Sequence, residues 1–443
     1  MLKAFSNTFK IPDLRKKILF TLGIFAIYRV GAYIPTPGID SARLAQYFDT
    51  VAKAQGGTLF GIMNMFTGGA MRRLTVFALG IMPYISASII LQLLTTVVPA
   101  LERLSKEGEA GRKKIIQYTR YGTIVLSIVQ AFFISLWLEN PAHFQGQQIV
   151  QFVGWPFRLL TILTLTTGTA FIMWLGEQIQ EYGIGNGISL IITVGIISRM
   201  PTAVYQVIFL LRRGQMQPFL LLLLAGIMVA VIVAVILITQ GQRRIPVQYA
   251  RRIIGRKIYG GQSTYIPLRV NQAGVIPIIF AQSLILFPAT LAGLMPSQFL
   301  QNLAGSLNPG GWLYIILYSG LIIFFTYFYT AITFNPIDVA ENMRKYGGFV
   351  PGIRPGKPTA QYFDFILTRI TLPGAIFLAI IAVFPQLISS WLNVPFLIAS
   401  FLGGTGLLII VGVMLDTMRQ IESQLLMRHY EGFMKKGRIR GRR

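Results

Sequence analysis

The amino-acid sequence predicts an all-α polytopic membrane protein: ten transmembrane helices in two five-helix inverted-repeat halves, with a short re-entrant helix in the first half. Three observations carry this expectation. The 443 residues are 53% hydrophobic and only 12% charged, against about 25% charged in soluble domains. The apolar residues gather into long uncharged runs, among them 270–337 and 370–415. A pattern in the second predicted span also returns in the seventh. Gly80-Ile-Met-Pro83-Tyr-Ile85-Ser-Ala87 is matched in register by Gly274-Val-Ile-Pro277-Ile-Ile279-Phe-Ala281.

Taken in order, residues 1–17 are polar and basic and lead into span one, Ile18–Ile34. Its exit, Pro35-Thr36-Pro37-Gly38, is not a small-residue cleavage site, so the stretch reads as a span and not as a signal peptide. Arg29 lies near its far end. A charge at mid-bilayer costs about 2.5–3.5 kcal/mol, so Arg29 is expected to snorkel or to face protein. After a polar loop, Pro35–Gln55, comes an apolar segment, Thr58–Thr67, set between glycine pairs. As a helix it would be about 15 Å long, half the hydrocarbon thickness. It can enter a membrane protein but cannot cross it. Irregular backbone at membrane depth is tolerated only where protein or a water-filled cavity surrounds it, so this segment points to an enclosed path. Arg72 and Arg73 follow, and Leu74–Val98 is an uncharged run long enough to cross.

A charged turn, Glu102–Lys114, precedes spans three and four, Tyr121–Leu138 and Leu159–Gly176, which Glu139–Arg158 joins. The turn Gly183-Ile184-Gly185-Asn186-Gly187 opens span five, Ile188 to about Tyr205, and span six is Pro218–Thr239. The loop Gln240–Arg269 carries Arg243, Arg244, Arg251, Arg252, Arg256, Lys257 and Arg269 and no acid. Pro296 and Asn308-Pro309-Gly310-Gly311 divide the next run into span seven, Val270–Leu294, and span eight, Trp312–Phe334. A second long loop, Asn335–Thr368, leads to a run that Asn393-Val394-Pro395 breaks into spans nine and ten, and a basic tail ends the chain. The halves are residues 1–205 (with the re-entrant segment at 57–70) and 206–443 (with the large loops 240–269 and 335–368). Because five is odd, the halves run in opposite directions through the membrane. Such repeats place the functional site at their interface. Loops on the side of both termini hold 31 Lys and Arg and the opposite loops hold 8. The positive-inside rule therefore puts both termini and both large loops in the cytoplasm.

There is no cysteine, and His143 and His429 lie far apart, which leaves little scope for disulfides, thiol chemistry or a metal site. His-Glu-x-x-His, Gly-x-Ser-x-Gly and a Walker-type loop are missing. Glu177 and Asp416 sit at span ends, where capping and solvation account for them. No enzyme activity and no cofactor are expected. A two-fold bundle without a charged midplane site suits a conduit that does not hold its cargo tightly. A secondary transporter of a small solute shares inverted repeats and broken helices and is the alternative.

Six motifs carry a family resemblance over nearly the whole chain: Phe77-Ala-Leu-Gly-Ile-Met-Pro-Tyr84, Trp174-Leu-Gly-Glu-Gln178, Tyr182-Gly-Ile-Gly-Asn-Gly187, Gln242-Arg-Arg-Ile245, Ala273-Gly-Val-Ile-Pro277 and Phe349-Val-Pro-Gly-Ile-Arg-Pro355. In these the sequence resembles the bacterial SecY family, the central subunit of the protein-conducting channel in the cytoplasmic membrane. The resemblance implies passage of unfolded secretory polypeptides between the halves, with signal sequences leaving sideways between spans two–three and seven–eight. It implies that the short helix is a plug, with Leu59, Phe60, Ile62, Met63, Asn64, Met65 and Phe66. It implies an aliphatic pore ring of Ile81, Ile85, Ile188, Ile192, Ile279 and Ile409. From spacing alone, Ile81 and Ile85 share a helix face, as do Ile188 and Ile192. A hydrophobic constriction blocks ions by dewetting and offers a passing chain no hydrogen bonds.

The resemblance further implies docking of the SecA motor ATPase or the translating ribosome on the two basic loops, through Arg243, Arg244, Arg251, Arg252, Arg256, Lys257 and Arg354. The positive-inside bias accounts for most of these arginines, but Pro351, Gly352, Pro355 and Gly356 fix the loop around Arg354. The small membrane subunits SecE and SecG and anionic lipids are the other implied partners. Ser86, Ser88 and Gln92 in span two and Asn271, Gln272 and Gln282 in span seven are candidates for the lateral gate. Small polar residues at helix contacts are an equally good structural explanation for them.

Overall fold

The structure, a computed structural model, describes residues 11–54, 64–144, 146–249, 252–254, 257–259, 263–294, 311–392 and 394–436. These are mostly helical, and a helix stands at the place of each expected span. In chain order they are α1 (Pro12–Gly31), α2 (Ser41–Ala54), α3 (Met82–Val97), α4 (Pro99–Lys106), α5 (Glu109–Glu139), α6 (Trp155–Tyr182), α7 (Gly187–Ile197), α8 (Met200–Arg212), α9 (Pro218–Gln240), α10 (Ile276–Leu294), α11 (Trp312–Thr333), α12 (Pro336–Lys345), α13 (Lys357–Leu392), α14 (Phe396–Leu402) and α15 (Gly404–Lys436). Among the described residues, seven helical stretches are long and apolar enough to cross a membrane, and the α3–α4 pair, bent by 99°, would make an eighth. The chain divides into two compact units. The first holds Met1–Phe209, Leu286–Pro309 and Ile409–Arg443, and the second holds Leu210–Ile285 and Gly310–Leu408.

In the first unit the helical part of span two starts at Met82, later than the uncharged run beginning at Leu74. The eight residues between are turns because they pair elsewhere. The Thr36 N–H donates to the Leu74 carbonyl (3.1 Å) and the Val76 N–H to that of Ile34 (2.9 Å). Leu74 and Gly80 have φ of 41° and 58°, outside the helical range. Pro83, with no N–H to give, suits the first turn of α3. Span five is likewise interrupted at Ser198-Arg199, just before Pro201, whose nitrogen cannot donate back to a helical carbonyl. The helix Met200–Arg212 carries on past the expected end of span five at about Tyr205.

Ion pairs hold α5 to α6 near both ends. At one end the Arg158 guanidinium donates to Glu139 Oε2 at 2.8 and 2.6 Å, and the Gly154 N–H donates to Glu139 Oε1 at 2.9 Å. At the other, Arg120 Nε donates to Glu177 Oε1 at 2.7 Å. The helix ends Glu177 and Glu139, which read from sequence as solvated carboxylates and loop residues, are thus structural. Gly176 and Gly187 let α6 and α7 touch, since a Cβ on Gly187 would collide with the Gly176 carbonyl.

In the second unit the loop 240–269, expected only to be polar and basic, is ordered. Strands β1 (Gln242–Tyr249) and β4 (Ser263–Arg269) form an antiparallel hairpin, and β5 (Gly348–Phe349) from the second long loop adds to β1. A separate ribbon joins β2 (Arg252–Ile254) and β3 (Lys257–Tyr259). Ile245, Val247 and Leu268 alternate inward on their strands and pack with Met343, Val350, Phe363, Ile366 and Leu367 in one cluster. The two loops therefore share a hydrophobic core that includes the start of α13, a departure from the purely helical expectation.

The two ion pairs differ in burial, with the Glu139 side chain 7% exposed and the Arg120 side chain 47% exposed. Arg158→Leu strands a buried carboxylate and is expected to destabilise by about 3–5 kcal/mol, whereas Arg120→Leu is expected to cost about 1 kcal/mol or less. Thermal unfolding in detergent should show the first variant with much the larger fall in Tm; the reverse order would contradict the assignment.

Candidate functional site

The short apolar segment enters the described residues at Asn64. Leu59, Phe60, Ile62 and Met63 lie outside them. Residues 64–66 are helical, and Asn64, Met65 and Phe66 are buried. The Asn64 carbonyl accepts from the Gly69 N–H (2.9 Å), and its side-chain Oδ1 accepts from the Arg72 N–H (3.0 Å). Thr67 Oγ1 accepts from the Met71 N–H at 3.3 Å. Gly68 and Gly69, at φ 65° and 94°, allow the tight reversal that these bonds close. The segment thus ends in a knot whose side chains at Thr67, Ala70, Met71 and Leu74 are buried.

Arg29 faces protein, one of the two outcomes open to it. From α1 its guanidinium donates to the Gly68 carbonyl (3.3 Å), to Ser198 Oγ at the end of α7 (2.8 Å) and to Tyr33 Oη (3.2 Å). It also lies 5.2 Å from the Tyr33 ring centre, and Arg73 lies 5.3 Å from the same ring. Gly195 makes the crossing possible: a Cβ there would come within 2.7 Å of the Phe66 carbonyl. Sequence reasoning singled out Arg29 but missed Gly68, Ser198, Gly195 and Tyr33 as its surroundings. The signal that was available is the Gly195-Ile-Ile-Ser198 spacing at the broken end of span five.

The six isoleucines are placed as follows. Ile81 is the N-cap of α3, and its carbonyl accepts from the Ile85 N–H at 3.1 Å, so the two stand one turn apart. Ile81, Ile85, Ile192 and Ile409 are buried in the first unit. Ile188 is half-buried, and its Cγ1 would lie 3.1 Å from a Cβ on Gly176 of α6. Ile279 is buried in the second unit. The turn before α7 is fixed by Asn186, whose Oδ1 accepts from the Ser189 N–H (3.1 Å), and by Gln420, whose Oε1 accepts from the Gly185 N–H (2.9 Å). These side chains are aliphatic: wherever they meet a path they repel water and offer a moving chain no hydrogen bond.

Of the gate candidates, Ser86, Ser88 and Gln92 are half-buried on α3. Asn271 and Gln272 precede α10 and shape a turn, Asn271 Nδ2 donating to the Gly274 carbonyl (3.0 Å) and Gln272 Oε1 accepting from the Arg269 N–H (3.3 Å). Gln282 is buried on α10 and accepts from Tyr318 Oη of α11 at 2.8 Å. It therefore ties spans seven and eight together.

Arg243 and Arg244 on β1 and Arg354 are exposed on the second unit. Arg244 stacks 4.9 Å over the Tyr265 ring of β4. The loop around Arg354 is closed by Thr359 Oγ1 donating to the Arg354 carbonyl (2.8 Å), with Gly352 and Gly356 at φ 83° and 103°. Arg252 and Lys257 occupy the β2–β3 ribbon, while Arg251 and Arg256 lie outside the described residues. In the first unit the Lys106 ammonium, 2.7 Å away, holds the Glu102 carboxyl below the usual carboxylate range. No group of three or more potential metal ligands occurs among the described residues.

A family model described as SecY matches residues 75–418. The Protein translocase subunit SecY of Mycobacterium tuberculosis (strain ATCC 25618 / H37Rv) is 48% identical over 452 residues, covering 98% of this chain and 100% of its own. Among solved structures, "The structure of a protein conducting channel" aligns with a TM-score of 0.63 at 18% identity, covering 93% of this chain and 92% of that one. "Sec61 in the Canine ribosome-channel complex from the endoplasmic reticulum" aligns with a TM-score of 0.59 at 17% identity, with the same coverage. At such identities the structures establish a shared fold.

The knot at Asn64 carries its own expectation. Asn64→Ala removes the acceptor of the Arg72 N–H, a bond contributing about 1 kcal/mol. Hydrogen exchange of the Arg72 amide should speed up by about fivefold, while amides of α5 and α6 stay unchanged. An unaltered Arg72 rate would contradict the bond.

Proposed function

The chain belongs to the SecY family, and from that premise we infer that it is the channel-forming subunit of a protein translocase, a passive conduit for unfolded secretory polypeptides and not an enzyme. The observation that carries this reading is the near-full-length identity to translocase subunits, joined to a bundle of apolar helices with the fold of protein-conducting channels. The small-solute transporter is not favoured. Its relatives would bind cargo at a polar midplane site, whereas the candidate positions here are isoleucines.

Within that function, Ile81, Ile85, Ile188, Ile192, Ile279 and Ile409 form the pore ring, and residues 58–67 act as the plug. The halves 1–205 and 206–443 are the inverted repeats that flank the path. Transmembrane segments leave between spans two–three and seven–eight, lined by Ser86, Ser88, Gln92, Asn271, Gln272 and Gln282. The burial of four of the isoleucines in one unit and the knot that anchors the plug's end support this reading. The tie from Gln282 to Tyr318 supports spans seven and eight moving as one body. The chain resides in the bacterial cytoplasmic membrane with both termini inside, as its basic loops indicate.

Arg243, Arg244, Arg251, Arg252, Arg256, Lys257 and Arg354 meet the translating ribosome or the SecA motor. Two features support this: exposed arginines raised on a packed platform, and a fold-mate solved in a ribosome–channel complex. SecE, SecG and anionic lipids complete the set of partners.

Deleting residues 58–67 is expected to raise ion conductance of an otherwise closed channel in planar bilayers, and unchanged conductance would count heavily against the plug. The chain has no cysteine, so single cysteines at Ile85, Ile192 and Ile409 can be cross-linked to a stalled precursor. All three should react, and silence at all three would remove the ring assignment. Arg243→Glu with Arg244→Glu should weaken ribosome binding and flatten its salt dependence, the slope falling by about one to two units. An unchanged salt slope would move ribosome contact elsewhere.

A further inference from the structure

We propose that Arg29 is a positioning residue for the closed channel: a latch that ties the base of the plug segment to the broken end of span five. The inference rests on the channel reading above and adds a residue to it.

The argument starts from what a guanidinium demands. It carries five N–H donors in a rigid fork and is always charged. On an apolar span it is expensive unless its donors find oxygens. Arg29 finds them on three separate parts of the first unit: a main-chain carbonyl at Gly68, a hydroxyl at Ser198 and the phenol of Tyr33 in the turn after its own helix. Among the described residues these partners are all neutral oxygens. A carboxylate would hold the charge in a strong, fixed ion pair. A carbonyl and a hydroxyl hold it by bonds that are worth making and can be given up.

The place of these bonds is as telling as their number. Gly68 follows directly on Thr67, the last residue of the plug segment. Ser198 ends α7, whose earlier turns carry Ile188 and Ile192. Ser198 is itself held, donating to the Gly195 carbonyl at 2.7 Å, so it is a fixed anchor. The chains are in near contact at this point: a Cβ built on Gly68 would stand 3.0 Å from Arg29 Nη1, from Gly195 Cα and from Ser198 Oγ. Nothing but small residues would permit Arg29 to span both. Losing the guanidinium removes a bond to each of two chain segments and leaves the Gly68 carbonyl short of a partner. That weakens the seated arrangement relative to any other.

The test uses the full-length protein, purified with its bound subunits and reconstituted in planar bilayers. Arg29→Gln, which stays polar but is shorter and lacks the charged fork, is expected to raise resting conductance by about tenfold or more, the loss of charge-assisted bonds to two segments. Arg29→Lys keeps the charge but not the fork and should leak to an intermediate extent. Ser198→Ala, which removes the hydroxyl that Arg29 bonds, supplies the decisive control. It should leak by itself, and the Arg29→Gln, Ser198→Ala double variant should leak no more than Arg29→Gln alone, because both changes break the same bond. Leaks caused by unrelated damage at the two positions would add.

Arg29→Gln as tight as the parent, alongside a leaking 58–67 deletion, overturns the latch while leaving the channel reading intact. A Ser198→Ala variant as tight as the parent overturns it as well, as do leaks that simply add in the double variant. A 58–67 deletion that does not leak removes the plug reading and the latch together.

Discussion

The constraint on which this structure depends is that backbone and charged groups inside an apolar body must be bonded by the protein itself. Regular helices meet it automatically. The informative places are those where the helix stops. At residues 67–81 the chain leaves α-helical geometry, and hydrogen bonds tie down several of the departures. Asn64 caps the Arg72 N–H, Thr36 and Val76 bridge strand-like to their partners, and Arg29 takes the Gly68 carbonyl. Ser198 closes the interrupted end of α7 in the same way. The described end of the short segment is therefore held by several modest directional bonds as well as by apolar burial. Such bonds are specific in geometry yet individually weak, which suits the plug role proposed for this segment.

The same logic separates rigid from adjustable regions. The α5–α6 pair is clasped by Glu139–Arg158, a nearly enclosed carboxylate with three donors. In the second unit, Gln282 and Tyr318 join α10 to α11 by a neutral bond, and Ile245, Val247 and Phe363 unite two long loops in a common core. Exposed arginines mounted on such a core keep their relative positions, which lets a cluster of basic groups act as a surface and not as a set of tethers. Backbone order also lowers the entropy lost when a large partner docks.

Much of the architecture was legible in the sequence because hydrophobic partition is a property of composition. The long uncharged runs marked the helices, the glycine-bounded segment marked the short one, and Asn186 with its flanking glycines marked the start of α7. The errors arose where a distant partner overrode local preference. Leu74–Ile81 is as apolar as the helix that follows, but its backbone is claimed by residues 34–36. The basic loop 240–269 shows only weak alternation, and its strands become stable through side chains some hundred residues away. Glu177 reads as a solvated end until Arg120, on another helix, is placed beside it.

By itself the sequence determined the membrane class, the order of the helices, the basic faces of the loops and, through six motifs, the family. These follow from local hydropathy, charge and spacing, which need no knowledge of what lies opposite. Only the tertiary structure decided which oxygens receive Arg29, why Gly68 and Gly195 must be small, and that Arg243, Arg244 and Arg354 stand on one packed platform. The reason is physical: the worth of a buried polar group is set by the distance and burial of its partner, and those partners come from far along the chain, 169 positions away for Arg29 and Ser198.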